Sequence, residues 1–202
     1  MQYKLLNSLF NSCIRKVILV LFSCSALLYG AEIRLRPPHN IYSDGAYLRI
    51  SCFTSRNLLD KELITYLENG IVLTFAYFVN LHKQNLFFDD QIAEHIIYKR
   101  VYYDIWNEMY YLETINDGKT IKKTYSNIDE ITATLLEIKN VSICPIDAIS
   151  PENKYYFKTR NTLKITQLYS IFHVVFNFLS IFKYKTTYLK SAVYSGSALI
   201  GK

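Results

Sequence analysis

Ile71-Val72-Leu73-Thr74-Phe75-Ala76-Tyr77-Phe78-Val79-Asn80-Leu81 is the segment from which the architecture follows, because its apolar side chains fall on both faces of an extended chain. Successive strand residues point to opposite sides, so Leu73, Phe75, Tyr77, Val79 and Leu81 share one face and Val72, Ala76 and Phe78 share the other. A strand apolar on both faces needs cover twice, which puts it in the middle of a sheet.

The neighbouring segments supply that sheet and its cover. Upstream, Asp60 stands where a helix N-cap is expected, and Lys61 to Asn69 sets Leu63, Ile64 and Leu67 on one face before Gly70, the residue suited to a left-handed exit. Earlier still, the turn-rich Pro37-Pro38-His39-Asn40 and Ser43-Asp44-Gly45 lead into a strand from Ala46 to Phe53. Downstream, Gln91 to Asp104 reads as one long extended stretch. Met109 to Ile115 and Lys119 to Tyr125 flank Asn116-Asp117-Gly118, whose Asp-Gly pair predicts a tight hairpin. Asn127-Ile128-Asp129-Glu130 has the spacing of a capping box and predicts a helix to about Ile138, closed by Lys139-Asn140. Lys154 to Ile165 is the longest clean alternation, with Lys154, Tyr156, Lys158, Arg160, Thr162 and Lys164 on one face and Tyr155, Phe157, Leu163 and Ile165 on the other. The expected class is α+β, a mainly antiparallel twisted sheet with two short helices and a C-terminal amphipathic helix. Residues 1–30 read as a signal peptide or N-terminal membrane anchor, 31–166 as the α+β domain, and 167–202 as the amphipathic helix and tail.

The two ends carry the information on location. Lys4, Arg15 and Lys16 precede the apolar run Val17 to Leu28, and no acid occurs before Glu32, which is the pattern of a secretory signal. Val17 to Ala31 spans roughly 22 Å as a helix, against a hydrocarbon core near 30 Å, which favours a cleaved signal over a full anchor. Cleavage near Gly30 or Ala31, acylation of Cys24 after Leu21-Phe22-Ser23, and retention as an anchor are the three outcomes the segment allows. Within Leu168 to Phe182 the polar residues Ser170, His173, Asn177 and Ser180 form one stripe at helical spacing. That helix either lies on a membrane surface through Phe172, Phe176 and Leu179 with Lys183 at head-group level, or covers the sheet as part of the core.

Of 202 residues, 23 are basic and 17 acidic, a formal charge of +6. Three of those basic residues belong to the signal, so half of the excess disappears with it and no case for nucleic acid remains. Cys13 and Cys24 lie in the signal as well. That leaves Cys52 and Cys144 in the domain, either as one disulfide or as two buried thiols.

Glu68-Asn69-Gly70, the apolar strand after it, Leu86-Phe87-Phe88-Asp89-Asp90, Arg100-Val101-Tyr102-Tyr103-Asp104 and Glu108-Met109-Tyr110-Tyr111-Leu112, in that order, resemble the bacterial family called domain of unknown function 4390. The resemblance covers roughly residues 46–166. It implies an exported protein whose mature chain opens at Ala31-Glu32-Ile33, and it implies no reaction.

No catalytic signature emerges from the residues themselves. Gly-x-Ser-x-Gly, His-Glu-x-x-His, paired Cys-x-x-Cys and phosphate-binding glycine loops are all missing from the sequence, and Ser195-Gly196-Ser197 reads as a tail. The nearest metal-ligating constellation is Asp89, Asp90, Glu94 and His95, with hard oxygen ligands for a divalent cation, and an enzyme would have to assemble its site from distant residues such as Asp89, Asp90, His95 and Asp104. The plainer reading makes Asp104 a turn cap or the ion-pair partner of Arg100. The leading expectation is therefore a non-catalytic, envelope-associated binding or scaffold module without a cofactor. Its basic face, Lys154, Lys158, Arg160 and Lys164, is expected to meet a membrane surface or another envelope protein. No small-molecule ligand is identified.

Overall fold

The computed structural model describes residues 34–55, 59–167, 184–185 and 187–201. In chain order these form β1 (Arg34–Leu35), β2 (Asn40–Ser43), β3 (Tyr47–Ser55), α1 (Lys61–Glu68), β4 (Ile71–Gln84), β5 (Asp90–Asp104), β6 (Met109–Asn116), β7 (Lys119–Tyr125), α2 (Ile128–Leu136), β8 (Glu137–Pro145), a 3-10 turn at Ile146–Ala148, β9 (Lys154–Gln167), the short strands β10 (Tyr184–Lys185), β11 (Leu189–Lys190) and β12 (Tyr194–Ser195), and α3 (Gly196–Ile200).

β4 sits where its two apolar faces require, between β9 and β5 in an antiparallel sheet that continues through β6 to β7. β7 is the far edge and is exposed along nearly its whole length. On the other side, β10, β11 and β12 pair antiparallel with successive parts of β9. A smaller antiparallel sheet is built on β3, with β8 along one side and β1 and β2 paired to it as well.

The inner face of the long sheet contributes Leu73, Phe75, Tyr77, Val79, Leu81, Val101 and Phe157 to a core that also holds Leu48 and Ile50 of β3, Leu63 and Leu67 of α1, and Ile131 and Leu135 of α2. Each buried apolar side chain of this kind stabilises the fold by about 1.5–3 kcal/mol, so this face dominates the energetics. Two polar groups inside the core are satisfied across elements. Tyr77 Oη donates to the Leu135 carbonyl at 3.0 Å, and Thr159 Oγ1 donates to the Leu35 carbonyl at 2.9 Å.

Local chemistry explains the boundaries. Asp60 Oδ1 accepts from the Leu63 amide at 2.9 Å, and Gly70 exits α1 at φ +78°. Replacing Asp60 by alanine is expected to cost about 1 kcal/mol, read as a lower urea midpoint with an unchanged slope. Asp117 and Gly118 both take positive φ, 48° and 72°, as a tight hairpin between right-twisted strands demands. Asn127 caps α2 by accepting from the Asp129 amide at 2.9 Å.

α2 ends at Leu136 and passes directly into β8, because pairing with β3 recruits Glu137 and Ile138 into the sheet. Lys139-Asn140 is a bulge: both residues face Ser51 alone, Asn140 takes φ +53°, and its amide reaches Ser51 Oγ at 3.3 Å. Asn40, read as part of a turn, starts β2.

Ser195-Gly196-Ser197 is not a tail. Ser195 closes β12 and caps α3, Gly196 is buried, and Leu199 is fully buried in the core. Cys52 and Cys144 are free, buried thiols. Cys144 pairs in register with Leu48 and Cys52 with Ile138, which separates them by roughly four strand residues, or about 13 Å, well beyond disulfide reach. Burial pushes Cys52 up to about 12 and Cys144 to about 11, so neither is a nucleophile near neutral pH.

The signal segment with Cys24, and the amphipathic segment with Phe172, Phe176, Leu179 and Lys183, lie outside the described residues. Among the described residues no helix is long and apolar enough to cross a membrane.

Candidate anionic-partner face and hairpin tip

Even-numbered residues of β4 and β9 share the outer face of the long sheet, because the register pairs Asn80 with Lys158, His82 with Tyr156, Phe78 with Arg160 and Thr74 with Lys164. The basic stripe expected from alternation is therefore one face of a strand, as its period requires. Its members, however, have different surroundings. Lys154 and Lys164 are exposed, while Lys158 and Arg160 are half-buried.

Arg160 is held between two rings, with its guanidinium 4.4 Å from the centroids of both Phe78 and Tyr188. Its Nε is buried and has no hydrogen-bond partner. This is a packing arginine as much as a charged one.

A tighter cluster surrounds Tyr156. The ring stacks on His82 at 5.2 Å and 8°, Lys190 Nζ lies 3.6 Å from its centroid, and Lys158 Nζ lies 5.7 Å away. Tyr156 Oη donates to Asp89 Oδ2 at 2.6 Å. Burial, with the Asp89 hydrogen bond adding to it, pushes the Tyr156 phenol up to about 12, while that same hydrogen bond is the main reason the Asp89 carboxyl lies below the usual carboxylate range. The pKa of His82 is lowered, first by burial and then by Lys158. Both of its ring nitrogens are buried without hydrogen-bond partners.

Lys190 lies directly opposite Lys158 across the β9–β11 pair. Like charges in that position repel. Among the described residues neither lysine forms an ion pair, and Asp89 is the acid whose charge they feel. Lys190 was not legible in the sequence, since a two-residue strand has no period to read.

Asp89 belongs to the turn joining β4 to β5. Asn85 organises this turn: its amide donates to Asp89 Oδ1 at 3.1 Å, and its Nδ2 donates to the Phe88 carbonyl at 3.0 Å and to Asp90 Oδ2 at 2.8 Å. The braced turn presents Leu86, Phe87 and Phe88 to solvent at 96%, 90% and 86% exposure. The signal for this was present in the sequence, three apolar residues between Asn85 and Asp89-Asp90, all turn formers.

Asp89, Asp90, His95 and Asp104, the residues named for an enzyme site, do not converge. Asp89 and Asp90 stand at one end of the 15-residue β5 and Asp104 at the other, a separation of roughly 45 Å. His95 lies on the inner face, where Nε2 meets Asn116 Oδ1 at 2.6 Å. Asp104 caps the next turn, accepting from the Trp106 amide at 3.0 Å and from Asn107 Nδ2 at 2.8 Å, and Asn107 is the first cause of its lowered pKa. Arg100 pairs instead with Glu113, at 3.2 Å across β5 and β6. Among the described residues no group of three or more His, Cys, Asp or Glu side chains is placed to hold a metal ion.

Lys164 falls away from the Tyr156 cluster and lines a groove of about 1130 Å³ near the β5–β6 turn, together with Tyr98, Arg100, Tyr102, Ile105 and Trp106. The stripe is thus divided. Lys154, Lys158 and Lys190 gather toward the hairpin-tip end, and Lys164 stands roughly 20 Å further along β9 from Lys158.

No curated protein and no solved structure matches the chain. A family model described as a domain of unknown function, DUF4390, matches residues 40–190, three quarters of the chain, across the two sheets and the basic face. The chain therefore belongs to the family of the domain of unknown function 4390.

Proposed function

We propose that this chain is an exported, envelope-associated binding module that carries no reaction of its own and meets anionic lipid head groups through Lys154, Lys158 and Lys190, with Lys164 on the same face. One observation carries the reading: two lysines opposed across adjacent strands, with Asp89 already committed to Tyr156, leave net positive charge that a bound anion would relieve. The export part rests on Lys4, Arg15 and Lys16 ahead of the Val17 to Leu28 run. A basic residue near an anionic surface contributes about 1 kcal/mol, so changing Lys154, Lys158 and Lys190 together to glutamine should weaken association with phosphatidylglycerol vesicles roughly a hundredfold. Sedimentation with vesicles reads this directly, and added salt should weaken the unmodified protein in the same direction. Equal sedimentation of the two proteins would overturn the electrostatic reading.

A further inference from the structure

Three consecutive large apolar side chains held out in water by a hydrogen-bonded turn call for a partner. A single exposed leucine is ordinary on a protein surface, but Leu86, Phe87 and Phe88 are adjacent, and none is less than 86% exposed. The turn that carries them is fixed by three hydrogen bonds from Asn85 and one from Tyr156, so the exposure belongs to a built structure.

The shape selects the occupant. Consecutive residues on a bend radiate in different directions, and a fluid bilayer covers all three at once without a complementary pocket. Immediately behind the tip, Lys154 pairs in register with Gln84, the last residue of β4, and Lys158 and Lys190 follow on the same outer face. An apolar tip with lysines set back along the same direction matches the order of acyl chains and anionic head groups at a membrane surface.

We infer that the β4–β5 turn inserts Leu86, Phe87 and Phe88 into the acyl region of a lipid bilayer, with Lys154, Lys158 and Lys190 at head-group level. The orientation rests on the anionic-lipid reading of the basic face, whereas insertion has its own readout. Trp106, the single tryptophan of the chain, lies on the turn at the opposite end of β5 and is 95% exposed, so it serves as an internal control.

The test compares two full-length proteins on vesicles of phosphatidylcholine and phosphatidylglycerol, with and without brominated acyl chains. One is unmodified and reports from Trp106. The other carries Phe87→Trp with Trp106→Phe and reports from the tip. The tip tryptophan is expected to shift to shorter wavelength and to be quenched by bromine, while Trp106 stays unshifted and unquenched. In parallel, Leu86→Ser/Phe87→Ser/Phe88→Ser should weaken vesicle association on the order of a hundredfold with an unchanged urea midpoint, because the replaced side chains are exposed. If the serine variant sediments like the unmodified protein and the tip tryptophan is unquenched, insertion is overturned while the basic-face reading stands. If the lysine-to-glutamine variant binds fully and the serine variant does not, the basic-face reading falls and insertion stands. Failure of the unmodified protein to bind any of these vesicles overturns both.

Discussion

Replacing Gly196 by alanine should destabilise the fold by about 3 kcal/mol, a large effect for a single methyl group near the end of a chain. A Cβ at this position would sit 1.9 Å from the Ser150 carbonyl oxygen and 2.8 Å from its carbon, both backbone atoms that cannot rotate away. The contact is close because two hydrogen bonds draw the strands of chain together: the Gly196 amide donates to the Asn153 carbonyl at 2.7 Å, and the Ser197 amide to Pro151 at 3.1 Å. Relieving the clash means lifting α3, which removes fully buried Leu199 from the core. Urea unfolding should show a lower midpoint, and Leu199→Ala should lose about 2–5 kcal/mol through the same element. A Gly196→Ala protein as stable as the parent would mean that this C-terminal turn is not docked as described.

The second large effect is a pH dependence traced to Lys99. Its Nζ lies on the inner face of β5 and donates to the Thr134 and Glu137 carbonyls, at 2.6 Å each, where α2 runs out of internal partners. Burial pushes the ammonium down to about 8 from 10.5, with the Glu137 charge opposing. Below about 8 the folded and unfolded chains both carry the proton, and the folded state bears the whole cost of the buried charge. Between about 8 and 10.5 the folded form has released it while the unfolded form has not, so the unfolded state binds more protons and stability rises with pH.

The thiols act in the opposite sense. Cys52 and Cys144 are raised in the folded state, so their contribution is present below an unfolded value near 9 and is lost above it. Comparison with Lys99→Met cancels these shared terms. The stability of the parent relative to Lys99→Met should increase by on the order of 3 kcal/mol between pH 7 and pH 10.5. A flat difference across that range would show that Lys99 is not buried as a cation.

Much of this arrangement is legible in the sequence. The two-sided run from Ile71 placed β4 between two strands, Asp117-Gly118 fixed a hairpin, and Asp60 and Asn127 marked helix starts, because each of those signals is local and has one dominant physical cause. What escaped depended on partners distant in the chain. Nothing within Gln91 to Asp104 marks Lys99, which is buried with its Nζ on the Thr134 and Glu137 carbonyls. Arg100 found Glu113 across the β5–β6 pair and left Asp104 to cap its own turn. Along β9 the alternation correctly sorted the two faces, but it could not show that Arg160 would be gripped by Phe78 and Tyr188 or that Lys190 would arrive opposite Lys158. β10, β11 and β12 are two residues each and have no period at all.

An uncovered strand offers unpaired amides and carbonyls to any second chain, and sheets with long apolar borders polymerise through them. β7 exposes Lys119, Lys122 and Lys123 along its length instead. Two such borders brought to the strand spacing of about 5 Å would oppose lysine with lysine, so edge-to-edge aggregation is discouraged along β7.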